Sequence, residues 1–173
     1  VGLGVMGLHD LLIHAGLRYG SPEANKLIDN LFKTIAEAAY RTSIDLSKEK
    51  SEFPLLTDRE AFINTGFMKQ MSEDIRQDIL KYGIRNSHLL TIAPTGSTGT
   101  MVGVSTGLEP YFSFKFFRSG RLGKFIEVNA NIVEEWLQYN PEYTVDTLPE
   151  YFVGAMDLTP EEHVETQCII QRW

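Results

Sequence analysis

The spacing of apolar residues changes more than once along this chain, and each change predicts a different element. Over residues 2–19, Leu3, Val5, Met6, Leu8, Leu11, Leu12, Ile13 and Leu17 surround a helical axis on nearly every side. That predicts a buried helix entered through a glycine-rich segment. Ser21-Pro22 then restarts the chain with an N-cap and a first-turn proline. In the helix that follows, Ala24, Leu27, Ile28, Leu31, Ile35, Ala38 and Ala39 keep helical spacing opposite Lys26, Asn30, Lys33 and Glu37, and the pattern fades near Ser43. Residues 45–57 read as a polar loop carrying Phe53-Pro54. Asp58 caps a short helix over residues 59–67, and Ser72 caps another through Ile75, Ile79 and Leu80 that closes at Tyr82-Gly83.

Beyond this point the period shortens. Residues 89–93 read as a short buried strand that runs into a Pro/Gly/Ser/Thr turn at 94–100. Phe112, Phe114 and Phe116 alternate with Ser113 and Lys115, the pattern of a strand with one buried face, and Gly120 with Gly123 makes a turn. Val128, Ile132, Val133, Trp136 and Leu137 predict another amphipathic helix, stopped by Asn140-Pro141. Thr159-Pro160-Glu161-Glu162 has the composition of a capping box, and Val164, Cys168, Ile169 and Trp173 continue the helix that it opens. No internal repeat or low-complexity tract interrupts the chain.

Composition narrows the class. With 173 residues, 43% hydrophobic and 23% charged, the chain is long enough for one domain with a real core. Its formal net charge of −7 argues against a general nucleic-acid binder. The acidic residues concentrate between Phe125 and Gln171, where no Lys or Arg occurs, and apolar residues interleave with them as on a solvated face. Cys168 is the only cysteine, so no internal disulfide forms, and a cytoplasmic setting is expected. No apolar run reaches the roughly 18 residues of a membrane span. The chain starts at Val1 within an apolar segment and stops at Trp173 within a helical pattern, and is therefore expected to be a single piece, 1–173, of a larger protein.

Candidate chemistry centres on the turn formed by Pro94, Thr95, Gly96, Ser97 and Thr98. Backbone N–H groups, hydroxyls and low bulk after a strand suit a phosphate group. No Lys occurs between Tyr82 and Phe114, so this is not a Walker A loop, and an ordinary Pro/Gly connection has the same composition. Gly2-Leu3-Gly4-Val5-Met6-Gly7 matches G-x-G-x-x-G, but it lacks the preceding strand and the downstream acid of a dinucleotide site, and close helix packing explains the glycines better. Phe112, Phe114, Phe116, Phe117 and Phe125 lie among Lys115, Arg118, Arg121 and Lys124; the core face of a strand is preferred to a base-stacking surface. His9, His14, His88 and His163 show no metal-ligand spacing and read as structural. Cys168 reads as a small packed residue rather than a nucleophile.

Four segments together resemble the large catalytic chain of ribonucleotide reductase: Val1 through Leu8 (VGLGVMGL), Thr91 through Thr98 (TIAPTGST), Gly107-Leu108-Glu109-Pro110, and Thr159 through Val164 (TPEEHV). The similarity is greatest to the adenosylcobalamin-dependent class II enzymes and extends along the whole chain. It implies an α/β fold, with this chain a helix-rich, later portion of a ten-stranded barrel. It also implies that Pro94, Thr95, Gly96, Ser97 and Thr98 hold the phosphates of a ribonucleotide substrate, more in keeping with a diphosphate. Glu109 falls in a family motif with no role assigned to it. For the whole enzyme the resemblance implies adenosylcobalamin, a thioredoxin-like reductant, a homo-oligomer, and no nucleic-acid or membrane partner. The family's radical chemistry needs several cysteines and a radical finger loop, and with Cys168 alone this chain is expected to be inactive by itself, with no catalytic residue of its own. The alternatives from other classes are a phosphate- or nucleotide-binding module without chemistry and a Rossmann-type dehydrogenase segment.

Overall fold

A computed structural model of the chain describes residues 2–119 and 125–173. The turn expected at Gly120 and Gly123 lies outside them, as do Arg121 and Lys124. The chain divides into two compact units: Val1–Leu3, Lys26–Thr91 and Thr166–Trp173 form the first, Gly4–Asn25 and Ile92–Glu165 the second.

The first unit is built on α2 (Pro22–Lys50), with α3 (Arg59–Ile63), a 3-10 turn (Met68–Gln70) and α4 (Glu73–Tyr82). Ala36, Tyr40 and Ile44 lie one turn apart on α2 and bury against Ile63, Met68, Met71, Ile75, Ile79 and Ile84. Helix α2 therefore does not end near Ser43. It continues to Lys50 because Ile44 extends the apolar stripe and two small hydroxyls follow the same face. Ser43 Oγ accepts from the Asn86 N–H at 3.0 Å, and Ser47 Oγ donates to the Tyr82 carbonyl at 2.9 Å. Residues that looked like a helix end are thus buried partners for the 82–86 segment.

Two further expectations change here. No helix spans residues 2–19; α1 covers only Leu8–His14. Leu3 is extended and forms a parallel bridge with Leu90, through Leu3 N–H to the Leu89 carbonyl (2.8 Å) and Thr91 N–H to the Leu3 carbonyl (3.0 Å). A side chain at Gly2 would collide with the Thr91 side chain, so this glycine serves the close approach of residues 2–3 to residues 89–91 rather than helix packing. The expected strand at 89–93 is reduced to this bridge, since Leu3 is its only pairing partner among the described residues.

The second unit holds α1, α5 (Gly96–Val102), an antiparallel hairpin of β1 (Lys115–Ser119) and β2 (Phe125–Asn129), α6 (Asn131–Tyr139) and a 3-10 turn (Ala155–Asp157). Phe116 faces Val128 and Phe117 faces Glu127 across the hairpin. Ile13, Ala130, Ile132 and Val133 form the core, with Tyr111, Phe114, Leu137 and Phe152 packed on it. The alternation over 112–116 was expected to be a strand with one buried face, but β1 starts only at Lys115. Phe114 enters the aromatic cluster, with its ring 5.4 Å from that of Phe152, whereas Phe112 and Phe117 are 75% and 67% exposed. Val128 belongs to β2 and not to α6.

Helix α7 (Pro160–Gln171) begins as its sequence requires: Thr159 Oγ1 accepts from the Glu162 N–H at 3.2 Å while the Glu162 carboxylate accepts from the Thr159 N–H at 2.8 Å. Arg18 pairs with the same carboxylate. The buried positions of α7 are Thr166 and Ile170, one turn apart. Cys168 lies about 200° around the helix from Thr166 and is exposed, not packed. No helix among the described residues is long and apolar enough to cross a membrane.

Candidate functional site

The turn singled out by composition opens α5, within the second unit. Pro94, Gly96, Ser97 and Thr98 are exposed and Thr95 is half-buried. Thr95 occupies the N-cap position in the left-handed region, φ 48° and ψ 26°, and its side chain does not cap the helix. Its Oγ1 instead accepts from the Gly107 N–H at 2.7 Å. The backbone donors at the start of α5 are therefore not taken by a Thr95 side-chain cap, and Ser97 and Thr98 in the same first turn are exposed. At Gly96 a Cβ would meet nothing within 4 Å.

The other face of α5 is closed. Gly99 is buried with the Val104 carbonyl and Thr106 Cα each 3.3 Å from where its Cβ would be, so a side chain there would press on the 104–106 backbone. Gly107, at φ +50°, has the Ala93 carbonyl and the Glu109 carboxylate against the same position. The Gly-Leu-Glu-Pro motif thus packs beside the turn. Within it Gly107 and Pro110 are buried, and Glu109 is exposed.

Residues missed by pattern reasoning hold this motif. His9 is fully buried, and Asp10 is 8% exposed. Asp10 Oδ1 accepts from the Tyr111 hydroxyl and Oδ2 from the Ser105 N–H, both at 2.7 Å. His9 Nδ1 accepts from the Tyr111 N–H at 2.9 Å, and the His9 N–H donates to Ser105 Oγ at 3.2 Å. Since Nδ1 is an acceptor, the ring is neutral with its proton on Nε2. Burial pulls the His9 pKa down to about 4, against the opposing charge of Asp10 and the backbone of Tyr151. Burial, then the hydrogen bond to Asp10, drives the Tyr111 hydroxyl far above its ordinary value. Tyr19 donates to the Leu108 carbonyl at 2.8 Å, and burial followed by the Glu109 charge pushes it up to about 12. The signal in the sequence was a His-Asp pair inside an apolar run, Leu8-His9-Asp10-Leu11-Leu12-Ile13. Polar residues at core positions demand partners.

The other candidates do not gather into a site. Lys115 of the aromatic-basic segment is paired with Asp146 at 2.9 Å and lies 3.8 Å from Glu127. His163 contacts the Ala155 carbonyl, His88 contacts Ser87, and His14 is exposed. Among the described residues no group of three His, Cys, Asp or Glu side chains is placed to hold a metal.

The whole chain, residues 1–173, matches the family described as ribonucleotide reductase, barrel domain. This chain belongs to that family. It is 28% identical to the ribonucleoside-diphosphate reductase subunit alpha of Chlamydia pneumoniae, covering 100% of this chain and 20% of that protein. It is 29% identical to a vitamin B12-dependent ribonucleoside-diphosphate reductase of Mycobacterium tuberculosis, covering 99% and 25%, and 31% identical to the subunit alpha of Helicobacter pylori, covering 100% and 23%. The chain therefore spans between a fifth and a quarter of these relatives' length. Its mixture of many helices with few strands accords with a portion of such a barrel, and membership displaces the Rossmann reading of Gly2, Gly4 and Gly7.

Proposed function

We propose that these residues supply the substrate-phosphate loop of a ribonucleotide reductase acting on ribonucleoside diphosphates. The observation that carries this is the open start of α5. Thr95 turns the chain and uses its oxygen on the Gly107 N–H, so no side chain caps the first turn of α5, and Pro94, Gly96, Ser97 and Thr98 are all exposed there. Neutral donors at a helix start satisfy phosphate oxygens without a lysine. The diphosphate named for all three relatives supports that substrate class. In this reading the loop grips the phosphates equally in ground and transition states, and so fixes the ribose for chemistry done by residues beyond these.

Cys168, exposed on α7, is the only thiol in the chain and does not form the cysteine set that reduction requires; the 173 residues alone have no reductase activity. Two relatives are named as vitamin B12-dependent, which supports cobalamin as the cofactor of the whole reductase, bound mainly outside these residues. A corrin cofactor, a thioredoxin-like reductant and a homo-oligomeric cytoplasmic enzyme belong to the proposed whole reductase.

Changing Ser97 and Thr98 to Ala in the reductase that carries this segment is expected to raise the KM for the ribonucleotide about tenfold or more, at roughly 1.5–3 kcal/mol for a hydrogen bond to a charged group, with kcat nearly unchanged. An unchanged KM would remove the assignment.

A further inference from the structure

Two adjacent residues of α1 hold both ends of the span between Ser105 and Tyr111. At one end every polar group of Ser105 is engaged. Its N–H donates to Asp10 Oδ2, its hydroxyl accepts from the His9 N–H, and its carbonyl accepts from the Gly7 N–H at 2.9 Å. At the other end Tyr111 donates twice, from its N–H to His9 Nδ1 and from its hydroxyl to Asp10 Oδ1. Between these pins the Tyr19 hydroxyl holds the Leu108 carbonyl, and the Gly107 N–H reaches Thr95 Oγ1.

We propose that Asp10, seconded by His9, is a positioning residue for phosphate binding: it fixes the 105–111 span, and the span, through Gly107, latches Thr95 so that the loop stays open to a phosphate group. The proposal rests on the phosphate-loop reading above and divides the loop's labour. Thr95 is the latch, while residues 96–98 meet the ligand.

Two features favour this over simple core filling. Asp10 forms no ion pair among the described residues, and both oxygens face neutral donors on the span, so the carboxylate is buried at a cost that an apolar residue would avoid. Thr95 is β-branched and sits at φ 48°, where such a residue stays only if its surroundings hold it. The Gly107 N–H is the group that holds it, and its position depends on the pins at Ser105 and Tyr111.

The test uses the full-length reductase, with inorganic pyrophosphate as a competitive probe of the phosphate site. Asp10→Asn keeps one acceptor oxygen of two. It is expected to raise the substrate KM and the pyrophosphate Ki in parallel by about tenfold, with kcat held within about twofold. Adding Tyr111→Phe is expected to raise both values further, because it removes the hydroxyl that can turn to accept from the new amide NH2 and so breaks the pin at Tyr111. Thr95→Val is expected to match Asp10→Asn, and Thr95→Ser to stay near wild type. If Asp10→Asn lowers the melting temperature but leaves KM and Ki in place, the positioning role is overturned. Should Asp10→Asn fail to fold, equal KM values for Thr95→Val and Thr95→Ser overturn it instead. Ser97→Ala separates the two levels: a raised KM there with none at Asp10 or Thr95 discards the latch and keeps the loop, and no change at any of the three discards both.

Discussion

His9 makes the behaviour of the second unit in acid calculable. Its ring is fully buried, accepts the Tyr111 N–H on Nδ1, and has its pKa lowered from 6.5 to about 4. At roughly 1.4 kcal/mol per pH unit, that difference corresponds to about 3 kcal/mol of preference for the neutral ring in the folded state. The sign follows from proton binding. Between pH 6.5 and 4 the unfolded chain binds a proton that the folded chain refuses, so folding stability falls as the pH drops through this window and is unaffected above it. Protonation also puts a hydrogen on Nδ1 facing the Tyr111 N–H, which breaks one of the two pins on the 105–111 span. Urea unfolding from pH 7.5 to pH 4.5, on the wild type and on His9→Gln, isolates the contribution; the variant keeps an acceptor and cannot titrate. The wild type is expected to lose about 2 kcal/mol more than the variant over that interval. Equal pH slopes for the two proteins would mean that His9 binds protons equally well folded and unfolded, contrary to what its burial requires.

Other outcomes follow from single contacts. Gly107→Ala places a side chain at φ +50° against the Ala93 carbonyl and the Glu109 carboxylate; it is expected to cost at least about 1–2 kcal/mol and to raise the KM of the reductase, measured by denaturation and steady-state kinetics. Ile79→Ala empties the fully buried centre of the first unit and is expected to cost about 2–5 kcal/mol in urea unfolding without altering KM. Thr159→Ala removes the acceptor for the Glu162 N–H and is expected to cost about 1 kcal/mol. The Arg18 guanidinium and then the Thr159 N–H hold the Glu162 carboxyl below its ordinary value, so its contribution is present above the usual carboxylate range and lost as the pH falls through the lowered pKa. A Glu162→Gln variant should accordingly show a shallower loss of stability in acid.

What could be read from the sequence depended on whether a signal was local. Three caps were local: Asp58 accepts the Ala61 N–H at 2.9 Å, Ser21 the Ala24 N–H at 3.1 Å, and the Thr159 to Glu162 box closes as composition required, whereas Ser72 stands at the N-cap of α4 without a side-chain capping hydrogen bond. The Pro94 to Thr98 turn was legible from its composition, but Thr95 in the left-handed region, with its oxygen on the Gly107 N–H instead of on the helix, was not. Helix length failed where tertiary partners decided it. Ser43 and Ser47 weaken a helix by propensity, but in α2 they serve residues 82–86, so α2 runs on. Periodicity over residues 2–19 failed because Leu3 turns away to pair with Leu90, a partner remote in sequence. Alternation failed at Phe112 and Phe116, which are exposed where the pattern placed them on a buried face. Asp10 was invisible as a site residue because all its partners lie near position 105 or beyond.

The role proposed for the open start of α5 is to hold the substrate's phosphates. A crystal structure of the full reductase with a ribonucleoside diphosphate bound tests it most directly. The expected result is phosphate oxygens about 3 Å from the N–H groups of Gly96, Ser97 and Thr98, with the Thr95 oxygen still on the Gly107 N–H. Phosphates bound at another part of the protein, with this turn facing only solvent, would contradict it.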